Sequence, residues 1–154
     1  MLPAMPTLAD IALGYAADPH AWPVRPCFDP EQRWYHRISR THDHEAWLLT
    51  WLPGQGTDLH DHGGAAGAFV VLSGELTETT VTGGALRARL TDQVITARRP
   101  RSFGARHVHQ VHNAGPEPAV SLHVYSPALV EMRRYELDRG LLRLAAVELA
   151  GRNW

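Results

Sequence analysis

From about residue 34 onward the chain alternates apolar and polar residues in short runs, most of them separated by glycine or polar punctuation. In a strand, side chains at i and i+2 share a face, so this alternation marks half-buried β-structure. It predicts strands at 34–40, 45–52, 58–62, 68–72, 75–81, 86–90, 94–97, 107–112, 120–125, 130–137 and 141–149. Pro53-Gly54, Ser73-Gly74, Gly83-Gly84 and Arg139-Gly140 supply turns between several of them. The last run, LLRLAAVELA, has the composition of a helix, but the LDRG before it reads as a hairpin turn, so a strand is expected. Ahead of the β-rich part, Leu8, Ile11, Ala12 and Tyr15 recur at helical spacing. They predict a short helix over 7–17, with Thr7 as N-cap, Asp10 in the capping-box position and Asp18-Pro19 as the stop. Residues 19–30 carry four prolines and read as an irregular connector. The expectation is an all-β sandwich or barrel behind a short N-terminal helix. It forms one domain over 1–154, with 1–30 as helix and connector and 31–149 as the β-structure.

Composition narrows the partners. The 154 residues are 44% apolar and 20% charged, with a net charge of −1, which is ordinary for a soluble domain. That balance exerts no general pull on nucleic acid or an anionic membrane. Arg98, Arg99, Arg101 and Arg106 form a local basic cluster, read as a solvated loop. All 15 basic residues are arginine, which fits a coding bias rather than a function. The single cysteine, Cys27, excludes an intrachain disulfide and favours a reducing, cytoplasmic setting. The opening MLPAMPTLAD lacks the basic and apolar regions of a secretory leader, and no stretch approaches the ~20 apolar residues of a membrane span. Ten histidines, several in close pairs, point toward metal chemistry.

His60 and His62, in GQGTDLHDHGG, share a strand face and either hold a metal ion together or lie solvated on a polar strand. In HVHQVHN, His107 and His109 share a face and His112 takes the other; one histidine from here would complete a three-ligand site. Three neutral imidazoles leave a divalent ion its full charge, which suits an anionic ligand such as a thiolate. His42 and His44 have the same spacing but sit in a hairpin turn and read as surface, as do His20 and His36 singly. Ser121, His123 and Tyr125 alternate on one face, either as an ordinary polar face or as a hydrogen-bond chain in which the histidine sets the polarity of the phenol. Tyr35 and Arg37 also share a face; an arginine there could grip a carboxylate through two parallel hydrogen bonds, or face solvent.

Together these segments resemble the cysteine dioxygenase family of cupins, from about Trp34 to about Leu137. The likeness rests on HDH at 60–62 followed by GEL at 74–76, on HQVHN at 109–113, and most specifically on EPAVSLHVYSP at 117–127. The usual cupin motif places a Glu shortly after HxH; residues 63–67 contain none, which fits a three-histidine site. The resemblance implies a cupin (jelly-roll-like) β-barrel of six to seven strands per side, holding Fe(II) on His60, His62 and His109. It implies Arg37 as the binder of the substrate carboxylate with Tyr35 in support, Trp51 in the pocket, Tyr125 with its hydroxyl beside the iron, and His123 and Ser121 behind it. It also implies a cis peptide at Ser126-Pro127, and assigns no role to His107 or His112. The implied activity adds both atoms of O2 to the sulfur of L-cysteine, giving the sulfinic acid. Where eukaryotic members carry a cysteine crosslinked to the tyrosine, this chain has Gly67, and Cys27 does not align with it; Tyr125 is therefore expected as a free phenol, as in bacterial-type members. The short C-terminal tail leads one to expect a more open pocket.

Two other readings fit the same residues. One is a dioxygenase for 3-mercaptopropionate or another small thiol; relatives of that kind tend to have Gln at the position of Arg37. The other is a non-catalytic cupin that binds a metal or a small ligand, against which the row at Ser121, His123 and Tyr125 counts. The partners expected are a small thiol and O2, with no nucleic acid and no membrane; the sequence leaves the oligomeric state open, a monomer included.

Overall fold

The expected N-terminal helix forms. In the computed structural model, which describes residues 1–151, α1 spans Leu8–Ala17. Thr7 caps it: its Oγ1 accepts from Asp10 N at 3.1 Å, while Asp10 Oδ2 accepts from Thr7 N at 2.9 Å, a reciprocal capping box. A single 3-10 turn at Pro19–Ala21 follows.

The rest is antiparallel β-structure. In chain order the strands are β1 (Tyr35–Arg40), β2 (Glu45–Trp51), β3 (Leu59–His60), β4 (Ala66–Ser73), β5 (Glu75–Thr82), β6 (Arg89–Thr96), β7 (Arg101–Phe103), β8 (His109–His112), β9 (Ala119–Ser126), β10 (Glu131–Asp138) and β11 (Leu141–Leu149). They form a five-stranded sheet, β1-β2-β9-β4-β7, and a six-stranded sheet, β11-β10-β3-β8-β5-β6. Five and six strands replace the six to seven per side that the resemblance implies.

The core lies between the sheets. Trp47, Leu49, Trp51, Phe69 and Val71 of the first sheet pack with Leu76, Ile95 and Val111 of the second. The first sheet is covered on its outer face too: Ala12 and Ala16 of α1 pack on Ala46, Leu48, Ala68, Val70, Leu122 and Val124. Strands buried on both faces lose the polar half of their alternation. This is why EAWLLTW is buried along its whole length and AVSLHVYS along all but its last residue. The polar side chains that do point inward from such strands, Ser121 and His123 above all, stand out for that reason.

The differences from the expected strands have physical causes. Of the two runs expected at 86–90 and 94–97, only residues 89–90 and 94–96 are strand; they belong to one strand, β6, interrupted in pattern by Thr91, Asp92 and Gln93, and 86–88 form the turn before it. β6 is the edge of its sheet and exposed at all but Ile95, so it needs no apolar alternation. β7 was not expected; three residues are too short to show a period. The last run is a strand, as the hairpin turn suggested: Arg139 and Gly140 both have positive φ, 50° and 80°. Among the described residues no helix is long and apolar enough to cross a membrane.

Candidate metal centre

β3 and β8 pair through His60 and His109 directly opposite one another, and the tight turn after β3 brings His62 to the same place. One nitrogen from each of the three rings lies within 4.8 Å of the others. The ring centroids are 4.8–5.1 Å apart, and all three side chains are buried. The HDH segment is pinned from behind: Asp61 Oδ2 accepts from the Tyr135 hydroxyl at 2.7 Å, and Asp61 Oδ1 from Gly63 N at 2.9 Å.

Burial, with the neighbouring histidines adding to it, holds the pKa of His60 and His62 well below the ordinary value. His109 is also lowered by burial, against the opposing pull of Glu78. All three imidazoles are therefore neutral, with a lone pair to offer. Two of them have Nδ1 engaged elsewhere: His60 Nδ1–H donates to Asp58 O at 2.8 Å, and His109 Nδ1–H donates to Glu78 Oε2 at 2.7 Å. That leaves Nε2 of each as the free donor atom. His62 has neither nitrogen hydrogen-bonded, although both are buried. A buried polar nitrogen without a partner is costly, and a metal ion between the three rings would satisfy it. The residues fit a divalent metal held by three neutral histidines.

Glu78, on β5, was not among the expected site residues. It is fully buried and accepts from Arg101 Nε at 2.6 Å on one oxygen, and from His109 Nδ1 at 2.7 Å and His107 Nε2 at 3.2 Å on the other. Burial works to raise its pKa, but these hydrogen bonds overcome it and hold the carboxyl ionised, well below the usual carboxylate range. Its signal in the sequence was phase: Glu78 sits two residues after Leu76, which faces the core. His107, whose role was open, stacks on Phe103 with centroids 5.0 Å apart and reaches Glu78. His112 is half-buried, and its Nδ1 has no partner.

Beside the three histidines lies the Ser121, His123, Tyr125 row of β9. Trp51 Nε1–H donates to Ser121 Oγ at 2.8 Å, Ser121 Oγ is 2.7 Å from His123 Nε2, and His123 Nδ1 is 3.4 Å from the Tyr125 hydroxyl. The indole can only donate. With the Ser121 hydroxyl donating to His123 Nε2, the neutral histidine carries its proton on Nδ1, facing the phenol oxygen. Burial pushes His123 down to about 3 and pushes the Tyr125 phenol above its ordinary value. Tyr125 is thus a proton-bearing phenol, its ring stacked on His62 with centroids 5.0 Å apart.

The arginine at the site is a different one from that expected. Arg37 is 44% exposed in its side chain, with its guanidinium 3.7 Å from the buried Glu45 and over the ring of Trp47. The arginine buried against the site is Arg33, only 7% exposed, with its guanidinium carbon 4.8 Å above the centre of the Trp51 ring. Its Nε and Nη1 are buried without hydrogen-bond partners. Burial lowers its pKa to about 10, against the favourable influence of Tyr125 and Tyr35, so it remains cationic near neutrality. Tyr35 packs against the inner core and donates to Gly151 O at 3.2 Å.

The cavity beside the histidines, bounded by Trp51, His60, His109, His123, Tyr125 and Met132, is narrow, about 20 Å³. Ala150 packs against the inner core, and Gly151 lies against Tyr35 and Trp47. A wider cavity of about 480 Å³ lies under α1, but its polar groups, Tyr15, Ser39 and His44, already bond one another. His44 is thereby tied to the helix rather than solvated. The Ser126-Pro127 peptide is cis.

The family model of cysteine dioxygenase type I matches residues 5–138. Solved structures agree on the fold. A conserved Klebsiella pneumoniae protein with a double-stranded β-helix domain is 22% identical, with a TM-score of 0.56, covering 80% of this chain and 90% of that one. A cupin superfamily protein from Desulfitobacterium hafniense is 12% identical, with a TM-score of 0.54, covering 66% and 83%. An oxalate oxidase in complex with the substrate analogue glycolate is 17% identical, with a TM-score of 0.54, covering 63% and 52%. The facing sheets are the cupin fold.

Proposed function

Since the chain belongs to the cysteine dioxygenase type I family, we propose that it is a non-haem Fe(II) thiol dioxygenase that converts L-cysteine and O2 to cysteine sulfinic acid. The observation that carries the reading is the buried trio His60, His62 and His109, with both His62 nitrogens lacking partners. Iron held there would supply coordination sites for a thiolate and for O2, the chemistry that places both oxygen atoms on sulfur.

The remaining roles follow from the residues around the trio. Arg33 binds the substrate carboxylate: a buried guanidinium with unpaired N–H groups is an anion site awaiting its anion, and it can hold the substrate in one orientation. Arg33 takes the role first given to Arg37. Tyr35 lies close enough to that anchor to influence it electrostatically, and Trp51 supports it through its ring face. Tyr125 donates its phenol hydrogen to the reacting groups, with its oxygen held by His123, His123 by Ser121, and Ser121 by Trp51. The exposed single Cys27 fits a cytoplasmic protein, where a small thiol substrate also stays reduced.

The test is oxygen uptake by the Fe(II)-loaded protein with L-cysteine and with 3-mercaptopropionate in parallel. Faster uptake with cysteine, yielding the sulfinate, is expected. Preference for the thiol acid lacking the amine would keep the dioxygenase and change its substrate. Absence of uptake with either, with iron bound, would leave a binding protein.

A further inference from the structure

Three neutral imidazoles can hold a metal only if each turns a bare nitrogen toward it. For His60 a backbone carbonyl does this, through Nδ1. For His109 the partner is a carboxylate, and it is an unusual one. Glu78 is fully buried, yet neither oxygen is spare: Oε2 receives His109 Nδ1–H at 2.7 Å and His107 Nε2–H at 3.2 Å, and Oε1 receives Arg101 Nε–H at 2.6 Å. Its strand places it there by phase, opposite Val111 on β8, two residues beyond His109. The same donors, Glu78, His107 and His109, lie close enough together to suggest a second cation site. The guanidinium of Arg101 against Glu78 argues against that use.

We infer that Glu78 is a positioning residue of the metal centre: it sets the tautomer and ring orientation of His109, and His107 and Arg101 hold Glu78 in place for that task. The inference rests on the three-histidine reading above. It gives His107 and Arg101 functions that neither the HxH spacing nor the basic cluster suggested. A carboxylate behind a metal-bound histidine also raises the basicity of the ring, and loss of such a partner typically weakens metal binding 10–100-fold. A purely structural ion pair between Glu78 and Arg101 has no need to hold a ligand ring at 2.7 Å as well, since a well-packed apolar substitute is often as stable.

The experiment uses the full-length protein, stripped of metal and titrated separately with Co(II) and with Fe(II). Affinity, the visible spectrum of the Co(II) form and thermal stability are recorded for wild type, Glu78→Gln and Arg101→Gln. Glu78→Gln is expected to bind both metals 10–100-fold more weakly, with an altered Co(II) spectrum. Arg101→Gln, at a side chain about a third exposed, should shift both in the same direction by a smaller factor. The double variant should be no weaker than Glu78→Gln alone, because Arg101 acts through Glu78. Should Glu78→Gln fail to fold, Arg101→Gln decides by itself. Unchanged affinity and spectrum, with only a lower melting temperature, would overturn the inference. A wild-type protein that binds neither metal at one site would overturn the metal centre itself, and this inference with it.

Discussion

Arg33 is a cation carried into a site that, among the described residues, offers it an indole face and no carboxylate. A buried charge without a partner costs stability, and it persists where a ligand completes it. Arg33→Met is therefore expected to lower kcat/KM for cysteine by roughly 30-fold or more, from about 2–5 kcal/mol for a truncated buried charge pair. The melting temperature of the substrate-free protein should hold or rise. Arg37→Met, at an exposed side chain, should leave kcat/KM within about fivefold of wild type. Steady-state kinetics and thermal melts on the two variants check both; reversed effects would return the carboxylate to Arg37. The sequence could not choose between these arginines. Arg33, Tyr35 and Arg37 share one phase, and period two treats them alike. Glu45 makes the difference, because it lies near enough to take Arg37 for itself.

At the scale of elements, β4 and its two neighbours explain why residue 67 is glycine. Gly67 lies opposite Phe103 of β7 on one side and Tyr125 of β9 on the other. A Cβ there would come within 2.5 Å of the Phe103 ring and 2.9 Å of Val124 O. That ring is stacked on His62, with centroids 4.7 Å apart and planes at 24°. Gly67→Ala should therefore destabilise the protein by about 1–3 kcal/mol through overpacking. Adding Phe103→Leu should recover part of the loss in urea unfolding, and strictly additive losses would refute the contact. Sequence comparison alone marks Gly67 only as a missing cysteine. The close approach of β7 supplies the reason, and β7 is the strand that left no periodic signal.

Across the whole molecule, burial of the histidines makes stability depend on pH. His60, His62, His109 and His123 all have folded pKa values held below the ordinary 6.5 by burial, His123 at about 3. Each is neutral when folded and takes up a proton on unfolding below pH 6.5. Their contribution is thus complete above 6.5 and is lost as pH falls toward the folded values. Glu78, lowered from 4.5, adds to the loss on the acid side. Metal-free protein should lose up to about 1.4 kcal/mol per pH unit for each such histidine below 6.5. Urea midpoints from pH 8 to pH 5 measure this, and a flat profile below pH 6.5 would show that the histidines are protonated in the folded state.

Local geometry carried much of this protein. Period two placed most of the strands, the capping box started the helix, and the HxH spacing kept His62 within one tight turn of His60, because each depends on residues only a few positions apart. The Ser121, His123 and Tyr125 row was legible for the same reason. Tertiary structure decided what depends on partners far along the chain. It brought His109 against His60, put Glu78 behind His109, turned Arg37 to Glu45 and left Arg33 for the site. These outcomes rest on strand register and on which charged group reaches a partner first, and neither is encoded in the spacing of neighbouring residues.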